Sequence, residues 1–177
     1  MNPDPSRPTS PPAAWIVRWA SLVRAGGPVL DVACGTGRHL RHFLSLGHPV
    51  VGIDRDVSAL DDLAADRAVG IVRADLEDGA PWPLPGRHFA GVVVTNYLHR
   101  PLFPALIEAL QPGGVLLYET FAIGNEKYGR PANPDFLLRP GELLDAVRGR
   151  LRVVAYEAVE ETAPPKVVQR IAAVRPE

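Results

Sequence analysis

The feature that most constrains this chain is the run Val29-Leu30-Asp31-Val32-Ala33-Cys34-Gly35-Thr36-Gly37-Arg38-His39. An apolar, β-branched segment carries an acid, Asp31, and then meets two glycines that open directly into a helix-forming stretch. A buried strand followed by such a turn lets the backbone of Gly35 and Gly37 approach a ligand that side chains would push away. The helix behind it presents unpaired N–H groups to whatever sits there. The turn reads as nucleotide-binding. The dinucleotide fingerprint G-x-G-x-x-G needs a third glycine, where this chain has Leu40. An acid at Asp31, just ahead of the turn, would also face a pyrophosphate with like charge. It suits a ligand that carries positive charge.

Strand and helix signals alternate on either side of that turn. Trp15, Ile16, Trp19, Leu22 and Val23 recur at helical spacing across 13–25, and Gly26-Gly27 stops that helix. Strand signals follow at 29–32, 50–53, 70–73, 89–95 and 115–119, the fourth apolar throughout as buried parallel strands are. Helices are expected after the glycine turn, with Leu40, Phe43 and Leu44 on one face, after Asp56, from about 102 to 110, and around Leu143, Leu144 and Val147. Gln111-Pro112-Gly113-Gly114 reads as a turn. Two β-rich runs, 151–159 and 167–174, close the chain with no helix between them. The connector 160–166 is too short for a parallel crossover, so these runs form an antiparallel pair. The expected fold is α/β: a three-layer, doubly wound, mostly parallel sheet of seven strands ending in an antiparallel hairpin. The Pro-rich residues 1–12 read as a disordered tail, and 13–177 as one domain.

The motif hydrophobic-Asp-x-x-Cys-Gly-x-Gly, in the form Leu30-Asp31-Val32-Ala33-Cys34-Gly35-Thr36-Gly37, resembles the first motif of class I S-adenosylmethionine-dependent methyltransferases. Their terminal hairpin matches the expected element order. The stretch Gly37-Arg38 with Leu46-Gly47-His48-Pro49-Val50 is also similar to small-molecule methyltransferases of the tellurite-resistance type. The resemblance runs motif by motif from about residue 28 to 120. It implies S-adenosylmethionine as cofactor, with S-adenosylhomocysteine as product.

In open α/β sheets ligands sit at the carboxyl ends of the strands, and four such ends carry informative residues. The glycine turn supplies Asp31, Ala33, Gly35 and Gly37. The second strand ends at Asp54-Arg55, nineteen residues past Gly35, a spacing suited to an acid on the ribose hydroxyls. By the resemblance, Asp75 and Leu76 read the adenine, while Asn96 and Tyr97 line the methyl side. Arg38 and His39 lie in the first helical turn, placed to face the pocket. Cys34 reads as a small buried residue rather than a reactive thiol, and the five histidines have no metal-ligand spacing.

The stretch 119–136 has no clear periodicity and leaves the end of a central strand. Long irregular connections in compact domains are usually binding loops or covers. Its Phe121, Tyr128, Phe136, Glu126 and Arg130 suit a cover over a small pocket. Methyl transfer draws mainly on positioning; where a base is needed, the candidates are His99, Tyr97, Glu126 and Tyr128. The formal net charge of −1 gives no general attraction to nucleic acid or anionic membrane. A single cysteine excludes an internal disulfide, and no secretory or membrane-spanning segment is visible. The expectation is therefore a cytoplasmic enzyme, monomer or homodimer, that methylates a small-molecule acceptor held under the loop 120–140. An RNA or protein methyltransferase and a non-catalytic S-adenosylmethionine-binding protein are the alternatives.

Overall fold

The computed structural model describes residues 10–177. The tail expected over 1–12 thus falls largely outside the described residues. A seven-stranded sheet forms the middle layer, in the order β3-β2-β1-β4-β5-β7-β6. Its strands are β1 (Val29–Val32), β2 (Val50–Asp54), β3 (Val69–Arg73), β4 (Phe89–Thr95), β5 (Leu110–Phe121), β6 (Arg152–Thr162) and β7 (Pro165–Val174). The first five strands run parallel, while β7 pairs antiparallel with both β5 and β6. The expected doubly wound sheet with its terminal hairpin is the architecture found. The order reverses between β1 and β4, which opens a crevice at their carboxyl ends.

Alternation along the strands assigns side chains to two cores. On β4, Val92 and Val94 face α3 (Phe103–Glu108) and α4 (Glu142–Val147). Val93 faces the other way, toward α1 (Ala14–Trp19) and α2 (Arg38–Ser45), where Trp15, Ile16, Leu40 and Phe43 are buried. Each fully buried side chain of this size contributes about 1.5–3 kcal/mol. Leu40, which stands where a dinucleotide fold has its third glycine, packs over β2. A Cβ added at Gly52 would lie 2.7 Å from Leu40 Cδ1 and 2.9 Å from Cys34 Sγ. Close helix–strand contact is kept, with the small residue moved onto the strand.

Three expected elements differ in form. The segment after Asp56 is a 3-10 turn, Ser58–Leu63, and not a full helix. The Asp56 carboxylate accepts from the Ser58 amide within a tight local turn, which starts the segment without the continuing i→i+4 ladder. Strand β5 begins at Leu110, so 111–114 forms an irregular strand entry around Gly113 at φ +73°. The 6–7 hairpin is longer and its connection tighter than expected, since β6 runs to Thr162 and β7 starts at Pro165.

Candidate active site

Both non-glycine residues with left-handed backbone among those described stand at the mouth of the crevice: Ala33 (φ 54°) after β1 and Asn96 (φ 55°) after β4. Such conformations cost about 1–3 kcal/mol and gather where a ligand must be approached closely. Gly35 also lies at φ +53°, and a Cβ built there meets nothing within 4 Å, so the turn leaves open space beside its backbone.

Asp54 ties this turn together. Its Oδ2 accepts the Gly35 amide at 2.8 Å, and its Oδ1 accepts the Asp56 amide at 3.0 Å. A carboxylate has about four acceptor sites, so Asp54 braces the turn and keeps capacity for a pair of hydroxyls.

Asp31 is the second acid of the site and is fully buried. Its Oδ2 has no hydrogen-bond partner. Burial pushes its pKa up to about 8; Arg38 opposes that rise and Asp54 adds to it. Its neighbour His39 lies 3.9 Å away, but burial, with Arg38 and His42, pulls the imidazole pKa down to about 3. The two are therefore neutral at neutral pH in the ligand-free protein, and their approach is no ion pair. A buried acid with one oxygen left unpartnered fits an incoming ammonium group.

A cavity of about 410 Å³ opens over the ends of β2 and β3. Ala33, Asp54, Arg55, Asp75, Leu76 and Tyr97 all line it, and Phe136 of the expected cover joins them, so seven residues named from sequence are brought together. Ala74 and Glu77 complete the wall, and neither carried a signal of its own in the sequence beyond its place beside Asp75 and Leu76. Carboxylates at the edge with apolar faces at Leu76, Tyr97 and Phe136 fit a nucleoside. The unpartnered Asp31 oxygen, the doubly bonded Asp54 and the open Gly35 turn therefore match the parts of S-adenosylmethionine.

Other expected residues are placed differently. His39 is buried, and its Nε2 accepts the Ala13 amide at 3.2 Å, so it anchors the segment before α1 and does not line the cavity. Arg38 turns the same way, donating to the Pro11 carbonyl at 3.3 Å and to Thr95 Oγ1 at 3.4 Å. The sequence carried no sign that the N-terminal segment would fold back over the first turn of α2. Asn96 is exposed, its amide donating to the Glu119 carbonyl.

Among the base candidates, Glu126 folds back onto the Gly124 amide at 2.8 Å, and the Tyr128 hydroxyl donates to Glu160 on β6. Tyr128 is thereby held to the hairpin, and neither residue lines the cavity. Burial, and then Glu77, Asp75 and Asp54, push the Tyr97 pKa up, which keeps its hydroxyl protonated at neutral pH and makes it a donor rather than a base. His99 sits half-buried in the same turn, two residues on. The Cys34 thiol is held up by burial first, then by Asp31 and Asp54, and stays inert. Among the described residues no three metal-ligating side chains cluster.

A family described as a methyltransferase domain matches residues 29–114, from β1 to the start of β5. Residues 29–114 are a methyltransferase domain, set in the fold of the class I S-adenosylmethionine-dependent enzymes. S-adenosylmethionine is the cofactor of such a domain. The ubiquinone/menaquinone biosynthesis C-methyltransferase of Ectopseudomonas mendocina is 34% identical over 126 residues, 64% of this chain and 46% of that protein. The chain thus spans less than half the length of the curated relatives it matches. The fold is shared with an S-adenosylmethionine-dependent methyltransferase from Mesorhizobium loti, at a TM-score of 0.70 and 19% identity over 92% of this chain and 98% of that one. It is shared also with the 1,6-didemethyltoxoflavin-N1-methyltransferase of Burkholderia thailandensis, solved with its acceptor and S-adenosylhomocysteine (TM-score 0.68, 20% identity, 93% and 77% covered).

Proposed function

We propose that the chain transfers a methyl group from S-adenosylmethionine to a small-molecule acceptor at the crevice between β1 and β4. The observation that carries the choice of a small acceptor is the formal net charge of −1, which gives no general attraction to a polyphosphate chain. The matched relatives' names refer to C-methylation and the Burkholderia neighbour's to N-methylation of a small heterocycle, which supports a small acceptor and leaves both atom types for the test.

When bound, S-adenosylmethionine supplies a methyl carbon activated by a sulfonium. The chain's part is positioning and exclusion of water. In this reading Asp54 holds the ribose hydroxyls, Asp31 ionises against the ammonium, and Asp75 and Leu76 flank the base. Ala33, Gly35 and Gly37 let the backbone come close. Tyr97 donates from the wall. His99, in the turn after β4, is the remaining candidate for taking a proton from the acceptor.

The test is S-adenosylhomocysteine production from S-adenosylmethionine over a panel of carbon, nitrogen, thiol and oxyanion acceptors, with a control titration of a ribose-oligonucleotide. Turnover on a small acceptor that Asp54→Ala abolishes is the expected result. Turnover on the oligonucleotide alone overturns the small-molecule reading. Tight cofactor binding without turnover on any acceptor, in a stable complex with another protein, would favour the non-catalytic alternative.

A further inference from the structure

The cavity lies over β2 and β3, yet one of its walls, Phe136, comes from the segment after β5. To reach it, that segment must cross the end of β4. Phe136 sits in a short 3-10 turn, Pro134–Phe136, and is 45% exposed although the two residues after it are fully buried. What sets this ring apart from an ordinary exposed side chain is that it lines the cavity from an anchored turn.

The anchoring is specific. Leu138 and Ala122 form an isolated bridge, with the Leu138 amide donating to the Phe121 carbonyl and the Ile123 amide to the Leu138 carbonyl. Asn133 caps the turn by accepting the Asp135 amide at 3.0 Å. From the turn after β4, Arg100 reaches over: it donates to the Asp135 carbonyl at 2.6 Å and to the Leu137 carbonyl at 2.9 Å, the residues on either side of Phe136. The same guanidinium grips Glu142 with two bonds, 2.6 and 3.0 Å. Glu142 also takes the Arg139 amide at 2.7 Å. A planar fork is suited to this set of partners, which a lysine ammonium could not satisfy together.

Resting on the methyltransferase reading, we propose that Phe136 covers the base end of the bound adenosyl group, opposite Leu76 and Tyr97, and that Arg100 is the positioning residue that holds it there. The cover is thus assigned to the cofactor, and not only to the acceptor side. An aromatic face above a purine is sequence-tolerant in its partners but sensitive to loss of the ring. The carboxylates at the cavity edge leave the faces of the base to these apolar groups.

The test is calorimetric titration of the full chain with S-adenosylhomocysteine and with 5′-methylthioadenosine, which lacks the amino-acid portion. Phe136→Ala is expected to weaken both by the same factor, about tenfold, and Phe136→Trp to restore both. Arg100→Lys, which keeps a charge beside Glu142, is expected to weaken both in the wild-type background and to add nothing in the Phe136→Ala background. A merely structural arginine would give the same loss in both backgrounds. Unchanged affinities in Phe136→Ala, with only the acceptor's KM raised, would overturn the assignment. Absence of binding of either probe to the wild-type chain would instead sink the methyltransferase reading itself, and this inference with it.

Discussion

The backbone amide of Gly35 and the carboxylate of Asp54 are joined by a 2.8 Å hydrogen bond across nineteen residues, linking the turn after β1 to the end of β2. The acid that the ribose would use therefore already shapes the glycine turn before any ligand arrives.

Asp54→Ala is expected to weaken S-adenosylhomocysteine by at least about a hundredfold. Two hydroxyl contacts to a charged acceptor are lost, each worth about 1.5–3 kcal/mol, and the turn loosens as well. Asp54→Asn keeps the shape and one acceptor, so it should fall between. Calorimetry on folded variants checks both, and equal affinity of wild type and Asp54→Ala would remove the ribose role.

Asp31 makes the ligand-free protein sensitive to pH. Its folded-state pKa of about 8 lies above the ordinary 3.8. Between these values the folded chain holds a proton that the unfolded chain has released. Stability should therefore fall as pH rises from about 4 to about 8, and then level. Asp31→Asn removes that slope and is expected to raise the melting temperature of the ligand-free protein at pH 8. Cofactor affinity should run the other way. Ionised Asp31 is the form that pairs with an ammonium, so wild-type affinity is expected to rise by up to about tenfold per pH unit below pH 8. The rise stops where the ligand's own amino group begins to lose its proton. Asp31→Asn should bind weakly with no such rise; a parallel slope in the variant would exclude Asp31 as the partner.

Much of this arrangement was legible in the sequence because it is local. Asp31, the two glycines and the bare end of β2 each announce themselves within one strand and its turn, and β4 reads as buried from Phe89 to Thr95 on composition alone. The parts that were not legible depend on pairs far apart in the chain. Arg100 meets Glu142 across 42 residues and the Asp135 carbonyl across 35, with no periodicity to connect them. His39 looked like a pocket residue from its place after the glycines, yet the Ala13 amide takes its Nε2. The missing third glycine pointed away from a dinucleotide fold, but only the packing reveals that Gly52 makes room for Leu40.

Tyr118 offers a test of how the β4 turn is held. Its buried hydroxyl donates to the Tyr97 carbonyl at 2.8 Å, and its ring packs beside Phe103 with centroids 5.8 Å apart. Tyr118→Phe preserves the packing and leaves that carbonyl without its partner. A loss of about 1–3 kcal/mol is expected, seen as a lower midpoint in urea with an unchanged slope. Because the carbonyl belongs to a cavity-lining residue, cofactor affinity should drop slightly as well. Full stability in the variant would mean that water replaces the hydroxyl.

The two glycines of the turn should separate stability from binding. Gly37 has φ +75°, and a Cβ there would stand 2.6 Å from Leu60 Cδ2 and 3.4 Å from Leu40 Cδ1, inside the α2-side core. Gly37→Ala therefore carries both backbone strain and overpacking, about 2–4 kcal/mol together. Gly35 has φ +53° with no atom near its missing Cβ, so Gly35→Ala carries the strain alone, about 1 kcal/mol. Its new methyl group would nevertheless stand beside the crevice, where the turn approaches the cofactor. Thermal melts and S-adenosylhomocysteine titrations on the pair should give opposite rankings: Gly37→Ala the less stable, Gly35→Ala the weaker binder relative to its stability. If Gly35→Ala binds as wild type does, the space beside that residue is not where the cofactor lies.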